Sequence, residues 1–457
     1  MFIYYNYALL WGIIWSFVAF TGCCISNRRL VLASMVFSAI VASPITSFTM
    51  GTAGTIYASD FVSLTLIVCW TFPTTRKMMF YNAPLWYKSF FAYIVIACIS
   101  IICISPFLGG NLAELGLTER VRNPLPFIPL PVLMAGFRLS KIFLYIIFFS
   151  YAVYLVQDND LLRFTYKCIA AAVTGLAICQ IITYTGIKDL GLYLPYMEYQ
   201  EAHIVGHAKA AGGRLYIIGF FVCLVLIYRF LAAPVYMAML AVIIMGLLFN
   251  GSRAAFLGIV AGLLIFSLRG KFAGKFVGFL TVILLIIGFS ILSAVSYEKI
   301  QSFAVIAEAP SENPRWSIWK WNIIFLLEHL YFLLTGVGFA NFRYALASEG
   351  VAEHGHNDYL TCLTEIGVVG LSFFLMYIIR LFRLVNERIK EEMGYLRWEG
   401  LCLLSVLTAF LISSMFEPSL YYSQGAMCMQ RIFAVLFGAS TACWHQQKYM
   451  ENIYCQT

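Results

Sequence analysis

The chain has 457 residues, of which 61% are hydrophobic and only 11% are charged, and its net charge is +8. A soluble globular domain carries about 25% charged residues. The composition therefore excludes an ordinary soluble protein and predicts a membrane protein that crosses the bilayer many times.

Apolar segments recur along the chain at roughly the 17 to 25 residues that a helix needs to cross the hydrocarbon core. The predicted fold class is therefore all-α, a polytopic transmembrane helical bundle of about 12 to 13 spans. The first segment lacks a basic flank and a cleavage site, so it is expected to be a retained helix and not a signal peptide. No repeat or linker divides the chain, and residues 1–457 are expected to form one integral-membrane domain. The expected spans are residues 3–25, 30–48, 56–74, 89–107, 135–156, 164–186, 214–229, 233–249, 253–268, 276–294, 358–380, 398–416 and 427–444.

Basic residues near the ends of the segments predict the orientation, because short loops rich in lysine and arginine stay in the cytoplasm. Three longer loops, residues 108–134, 187–213 and 295–357, then face outward with the N-terminus, and 295–357 is expected to contain short interfacial helices. The segments 30–48 and 56–74 contain Pro44 and Asp60, and if one were re-entrant, only the N-terminus would change sides. The predicted cytoplasmic residues are Arg28, Arg29, Arg76, Lys77, Lys88, Arg163, Lys167, Arg269, Lys271, Lys275, Arg380, Arg383, Arg388, Lys390 and Arg397.

Three outward arginines follow residues that allow a close backbone approach. Arg214 follows two glycines, Arg253 follows an Asn-Gly-Ser turn, and Arg315 follows a proline. A guanidinium is always charged and can hydrogen-bond to two phosphate oxygens at once, so such arginines suit a diphosphate. The alternative is that they extend into the lipid headgroups. Residues 315–328 also show an amphipathic spacing, which predicts a helix lying on the bilayer.

Two of the six histidines, His354 and His356, lie where the third long loop meets an apolar segment. Histidine exchanges a proton near neutral pH, so either is a candidate general base. His203 and His207 are one helical turn apart, but no third metal-ligating residue occurs at a suitable spacing from them. The long loops contain no cysteine. We therefore predict no metal site, no disulfide framework and no cofactor.

These residues resemble the O-antigen ligase and polysaccharide polymerase superfamily. His356-Asn357, followed after nine residues by Gly367-Val-Val-Gly370, is similar to the family's histidine motif at the end of its periplasmic loop. The other similar motifs are Arg315-Trp-Ser-Ile-Trp319 with Leu334-Thr-Gly336-Val-Gly338, then Gly251-Ser-Arg253-Ala-Ala, and Gly213-Arg214-Leu. The resemblance extends from about residue 205 to 420.

The resemblance implies a metal-independent, inverting glycosyltransferase of the bacterial inner membrane, with its active site facing the periplasm. The implied donor is a glycan linked to undecaprenyl diphosphate. His356 would be the general base, and Arg214, Arg253 and Arg315 would hold the diphosphate. Further residues expected to bind substrate are Asn357, His354, Arg120, Arg122, Lys320 and Glu417.

Two functions within the family stay open. A polymerase joins lipid-linked repeat units, whereas a ligase transfers the glycan to lipid A core. The passage from Gly338 to Phe342 and the sequence from His354 to Leu360 favour a polymerase of O-antigen or exopolysaccharide. Membrane lipids and a chain-length regulator are further expected partners, and nucleic acid is not.

A transporter of lipid-linked sugar is an alternative from a different class. Transporters commonly contain internal repeats and bind near the middle of the bilayer. Since no repeat is visible and the candidate residues cluster at the outer surface, the sequence favours an enzyme.

Overall fold

A computed structural model describes residues 2–40, 46–47, 55–71, 85–104, 128–184, 209–230, 233–250, 252–270, 314–342, 356–390, 394–416 and 431–442. This part of the chain is helical apart from turns and two short strands, which pair antiparallel with Thr46 opposite Ile56. The predicted all-α class is confirmed.

The elements follow one another in chain order with these bounds. They are α1 (Phe2–Cys24), α2 (Arg28–Ser38), β1 (Thr46–Ser47), β2 (Thr55–Ile56), α3 (Ala58–Trp70), α4 (Leu85–Cys103), α5 (Leu130–Leu155), α6 (Asn159–Tyr184), α7 (Lys209–Phe230), α8 (Ala233–Asn250), α9 (Arg253–Arg269), α10 (Pro314–Glu328), α11 (Leu330–Thr335), α12 (Asp358–Lys390), α13 (Gly394–Ser413) and α14 (Arg431–Ala442).

The described helices include three that are long and apolar enough to cross a membrane, Pro131–Leu155, Asn159–Ile182 and Asp358–Glu387. Shorter apolar helices accompany them, at Leu9–Cys24, Ala58–Trp70, Phe90–Cys103, Gly212–Tyr228, Pro234–Asn250 and Arg431–Ala442. The chain is an integral membrane protein.

Two predicted boundaries are wrong. The segment expected to be a span at 30–48 is helical only to Ser38, and Thr46–Ser47 is a strand. A helix continued toward residue 48 would also have met Pro44, which cannot donate a helical hydrogen bond and disfavours helical geometry in the residue before it. The helix α12 extends ten residues beyond its expected end at Arg380, and the span expected at 276–294 lies outside the described residues.

The helices α9 and α13 pack closely because glycine faces the contact. A Cβ added to Gly258 would lie 2.6 Å from the carbonyl oxygen of Ala409, and one added to Gly262 would lie 2.7 Å from that of Ser405. Small residues let helix backbones approach in this way within membranes. Since residue numbers rise along α9 as they fall along α13, the two helices are antiparallel, and the start of α9 lies beside the end of α13.

Candidate active site

His356 directly precedes Asn357, the residue that caps the start of α12. The side-chain oxygen of Asn357 accepts hydrogen bonds from the backbone N–H groups of Tyr359 and Leu360, both at 3.0 Å. The first N–H groups of a helix have no partner within the helix, so an asparagine cap satisfies them and fixes where the helix starts. The cap therefore defines the position of the neighbouring histidine.

The same residues are tied to the end of α13. The amide nitrogen of Asn357 donates to the carbonyl of Met415 at 3.1 Å, and the backbone N–H of Asp358 donates to the carbonyl of Ser414 at 2.9 Å. The hydroxyl of Tyr359 donates to the carbonyl of Leu411 at 3.2 Å. Helix α12 thus begins at a fixed height beside α13.

His356 has a φ of 47°, in the left-handed region that residues other than glycine rarely adopt. Histidine is among the residue types that tolerate this region better than most, and strained backbone often marks a functional position. The side chain is half-buried. A half-buried imidazole on a fixed backbone is suited to receive a proton from a bound hydroxyl group.

Arg253 lies at the same end of the bundle as His356. It is the first residue of α9, after Ser252, whose hydroxyl accepts a hydrogen bond from the backbone N–H of Ala255 at 3.3 Å. The antiparallel pairing with α13 brings this helix start to the level of Ser414, which holds the start of α12. The guanidinium of Arg253 is exposed and available to a ligand at this end.

Arg214 lies beside the turn that carries Arg253. A Cβ added to Gly213 would lie 2.7 Å from both side-chain heavy atoms of Ser252, so only glycine permits this approach of α7 to α9. Arg214 is the next residue and is 3% exposed. The structure therefore places Arg214, Arg253 and His356, which are far apart in sequence, at the same end of the bundle.

The loop between α11 and α12 is fastened to a break inside α12. Gly367 has a φ of 68° and interrupts the helix, and the carbonyls of Thr364 and Glu365 accept hydrogen bonds from the backbone N–H groups of Val337 and Gly338, both at 2.8 Å. A Cβ on Gly367 would lie 2.0 Å from the carbonyl oxygen of Leu334. We call this arrangement of residues 334–338 and 364–367 the glycine clasp.

Glu365 completes the fastening from the buried side. Its carboxylate accepts hydrogen bonds from the backbone N–H groups of Ala340 at 2.9 Å and Phe342 at 3.4 Å. The residue is fully buried. Glu365 therefore holds the segment that follows the clasp against α12.

The predicted helix at 315–328 is confirmed as α10. Asn322 and Thr364 hydrogen-bond through their side chains at 2.5 Å, which docks α10 onto α12 beside the clasp. Arg315 precedes Asn322 by seven residues of α10, about 10 Å along the helix axis at 1.5 Å per residue, and His356 lies two residues before the start of α12. The face toward the protein carries Ile318 and Leu326, whereas Ile323 and Leu327 are exposed, as expected for a helix that meets lipid.

Several predicted residues cannot be placed. His354, Arg120, Arg122 and Glu417 lie outside the described residues, as do His203 and His207. Lys320 is exposed on α10. Within the described ranges no three histidine, cysteine or acidic residues group so that they could hold a metal ion.

Sequence reasoning missed a buried ion-pair cluster. Asp60 in α3 pairs with both Lys141 in α5 and Arg431 at the start of α14, and Arg431 also donates to the hydroxyl of Ser59. The backbone N–H of Tyr57 donates to the same carboxylate at 2.8 Å. An acidic residue inside an apolar segment was the available signal, since charge in a membrane span is costly and is usually paired.

The part of the chain that carries most of this geometry also matches a known family. Residues 237–375 match the family described as O-antigen ligase. This match supports the O-antigen ligase and polymerase superfamily. The matched segment contains Arg253, Arg315 and His356, together with the whole glycine clasp, whereas Arg214 precedes it. No curated protein matches the chain.

The match supports the resemblance noted in the sequence and indicates the broad type of activity. Members of this superfamily are membrane enzymes of the ligase or polymerase type, and their substrates are lipid-linked glycans in general. The protein is accordingly a membrane enzyme of polysaccharide biosynthesis.

Proposed function

We propose that the protein polymerises lipid-linked repeat units of an O-antigen or exopolysaccharide at the periplasmic face of the bacterial inner membrane. The reaction is an inverting glycosyl transfer without a metal ion, and the donor is a glycan on undecaprenyl diphosphate. The observation that carries the proposal is the convergence of Arg214, Arg253 and His356 at one end of the helical bundle, next to the docked helix α10.

The chemistry requires a proton acceptor and cations on opposite sides of one anomeric carbon. The acceptor hydroxyl oxygen attacks that carbon while His356 takes its proton, and the bond from the carbon to the diphosphate oxygen breaks. Attack opposite to the leaving group inverts the configuration. The electron pair goes to the diphosphate, where Arg214, Arg253 and Arg315 stabilise the new charge.

The ligase is the second candidate, because the matched family is described as O-antigen ligase. The two functions differ in the acceptor alone, which is lipid A core for a ligase and a second lipid-linked glycan for a polymerase. Both need the same base and the same cations. The polymerase is preferred because of the passage Gly338-Phe339-Ala-Asn-Phe342 and the sequence from His354 to Leu360.

The decisive experiment incubates the purified protein with an undecaprenyl-diphosphate-linked repeat unit and resolves the products on a gel. We expect a ladder of longer glycans. The variant His356→Asn should lower the rate by about 10² to 10⁴. Asparagine tolerates the left-handed backbone of position 356, so this change removes the proton acceptor with little added strain.

The matched control is His329→Asn, which makes the same change at a histidine whose ring stacks on Phe325. It should leave the ladder intact. A product that forms only when lipid A core is added would show that the protein is a ligase and not a polymerase. If neither acceptor gives product, or if His356→Asn retains full activity at normal protein levels, the proposed mechanism is wrong.

A further inference from the structure

An apolar groove lies between α9, α12 and α13, and Arg214, Arg253, Arg315 and His356 are not among its lining residues. Its volume is about 600 Å³. Leu375 and Ile379 in its wall are 37% and 50% exposed, so the groove opens sideways toward the lipid. It does not belong to the transfer chemistry described above.

The polar groups of the groove are concentrated at one end. Arg269, Arg383 and Asn386 line that end. The carbonyl of Arg269 accepts a hydrogen bond from the guanidinium of Arg397 at 2.9 Å, which adds a third cation nearby. By the distribution of basic residues, this is the cytoplasmic end.

The remaining wall offers no free donor. The hydroxyl of Thr408 donates to the carbonyl of Leu404 at 2.8 Å, and the hydroxyl of Tyr359 donates to that of Leu411. The other lining residues there are aliphatic or aromatic. A molecule that fills the groove must therefore be apolar along most of its length and anionic at one end.

The length of the groove limits what it can hold. From Arg397, which contacts Arg269, to Leu411 is 14 residues along α13, or about 21 Å at 1.5 Å per residue. This is shorter than the ~30 Å hydrocarbon core. The groove is nevertheless longer than one leaflet, which is about half of that thickness, so it fits a lipid whose headgroup lies at the polar end and whose chain extends past the middle of the bilayer.

We propose that this groove binds an anionic phospholipid of the cytoplasmic leaflet. The phosphate lies between Arg269 and Arg383, and an acyl chain runs along α12 and α13 toward Tyr359. Basic pockets between membrane helices on the cytoplasmic side recognise anionic headgroups in this way. The chain end then contacts Tyr359, whose backbone N–H is capped by Asn357, so the bound lipid supports the region that positions His356.

The test uses the purified full-length protein, delipidated in detergent and titrated with phosphatidylglycerol or phosphatidylcholine, with bound lipid counted by native mass spectrometry. We expect one tightly held phosphatidylglycerol and weaker phosphatidylcholine binding. The double variant Arg269→Gln with Arg383→Gln should weaken phosphatidylglycerol binding on the order of 10- to 30-fold.

The matched control is Lys167→Gln with Lys390→Gln, which removes two positive charges from the same membrane face without touching the groove. It should bind phosphatidylglycerol as the native protein does. Leu375→Trp keeps both arginines but fills the groove, and it should also abolish tight binding.

Three outcomes would overturn the proposal. Equal binding of the two phospholipids would show a groove that merely contacts hydrocarbon. Equal losses in the groove variant and the control would show a general surface attraction. Displacement of phosphatidylglycerol by equimolar undecaprenyl phosphate would assign the groove to the polyprenyl chain. All readouts measure lipid binding, so they are independent of whether the protein is a polymerase.

Discussion

At the scale of single residues, the start of α12 explains why a histidine motif includes asparagine. Asn357 uses its oxygen to cap α12 and its amide nitrogen to reach Met415. One side chain therefore fixes both the beginning of the helix and its height beside α13. These two contacts fix the position of the adjacent His356. An imidazole held in this way loses little conformational freedom when a substrate binds.

Asn357→Asp keeps the helix cap of Asn357 but removes its hydrogen bond to Met415. Aspartate caps a helix as well as asparagine does, but it has no N–H to donate and places a negative charge beside the carbonyl of Met415. We expect the protein to accumulate normally and its transfer rate to fall by about 10-fold or more, since small misplacement of a catalytic group is costly. The gel assay described above measures the rate.

Asn357→Ala serves as the comparison, because it removes both contacts and costs about 0.5 to 2 kcal/mol of stability through the lost cap. Activity should fall further than in Asn357→Asp, and thermal stability should fall only in the alanine variant. Full activity in Asn357→Asp would show that the contact with Met415 has no part in positioning His356.

At the scale of elements, the glycine clasp joins the long outer loop to the helix that follows the histidine. The break at Gly367 frees two carbonyls of α12, and the loop supplies the N–H groups that they need. Buried backbone groups without partners cost free energy, so the break and the loop stabilise each other. This mutual requirement explains why the glycines of the loop and the glycine after the histidine occur together in the motif.

Gly367→Ala should disrupt the clasp. The added Cβ would meet the carbonyl oxygen of Leu334 at 2.0 Å, and alanine disfavours a φ of 68°. We expect much less folded protein, measured by fluorescence-detected size-exclusion chromatography. Gly175→Ala is the control, since a Cβ there meets nothing within 4 Å, and it should accumulate as the native protein does. Normal levels and activity for Gly367→Ala would show that the clasp can be rebuilt without glycine.

At the scale of the whole molecule, Asp60 joins regions from opposite ends of the chain. Its carboxylate joins α3 to α5 and α14, and Asp60 and both of its cationic partners are less than 10% exposed. Removing one partner of a buried ion pair leaves an uncompensated charge, whose cost exceeds the net stability that the pair supplied. The stability of α3 and α5 therefore depends on α14, the last described helix, which supplies Arg431.

Asp60→Asn should destabilise the protein by about 3 to 5 kcal/mol, because both cations lose their counter-charge. A thermal denaturation assay measures this effect. Adding Lys141→Met to Asp60→Asn removes one unpaired cation and should recover part of the loss.

Asp158→Asn is the control, because it makes the same change at an exposed residue that caps α6, and asparagine caps equally well. It should leave the melting temperature unchanged. If Asp60→Asn has the same melting temperature as this control, the cluster contributes nothing to stability.

The sequence by itself determined the class of the protein, its resemblance to a family and the candidate groups Arg214, Arg253, Arg315 and His356. Hydropathy and short motifs are local properties, and a run of 20 apolar residues or a histidine before a helix can be recognised from neighbours in the chain. The helix α10 was predicted for the same reason, as was the start of α12.

Only the tertiary structure decided which of these groups meet. The approach of Arg214 to the turn of Arg253 depends on Gly213 facing Ser252, and the ion-pair cluster depends on the meeting of residues 60 and 431. Such contacts join positions distant in sequence, and helix packing selects them from many that the same composition permits. Helix packing therefore sets the position of a candidate catalytic group, whereas the residue type, which the sequence gives, sets its chemistry.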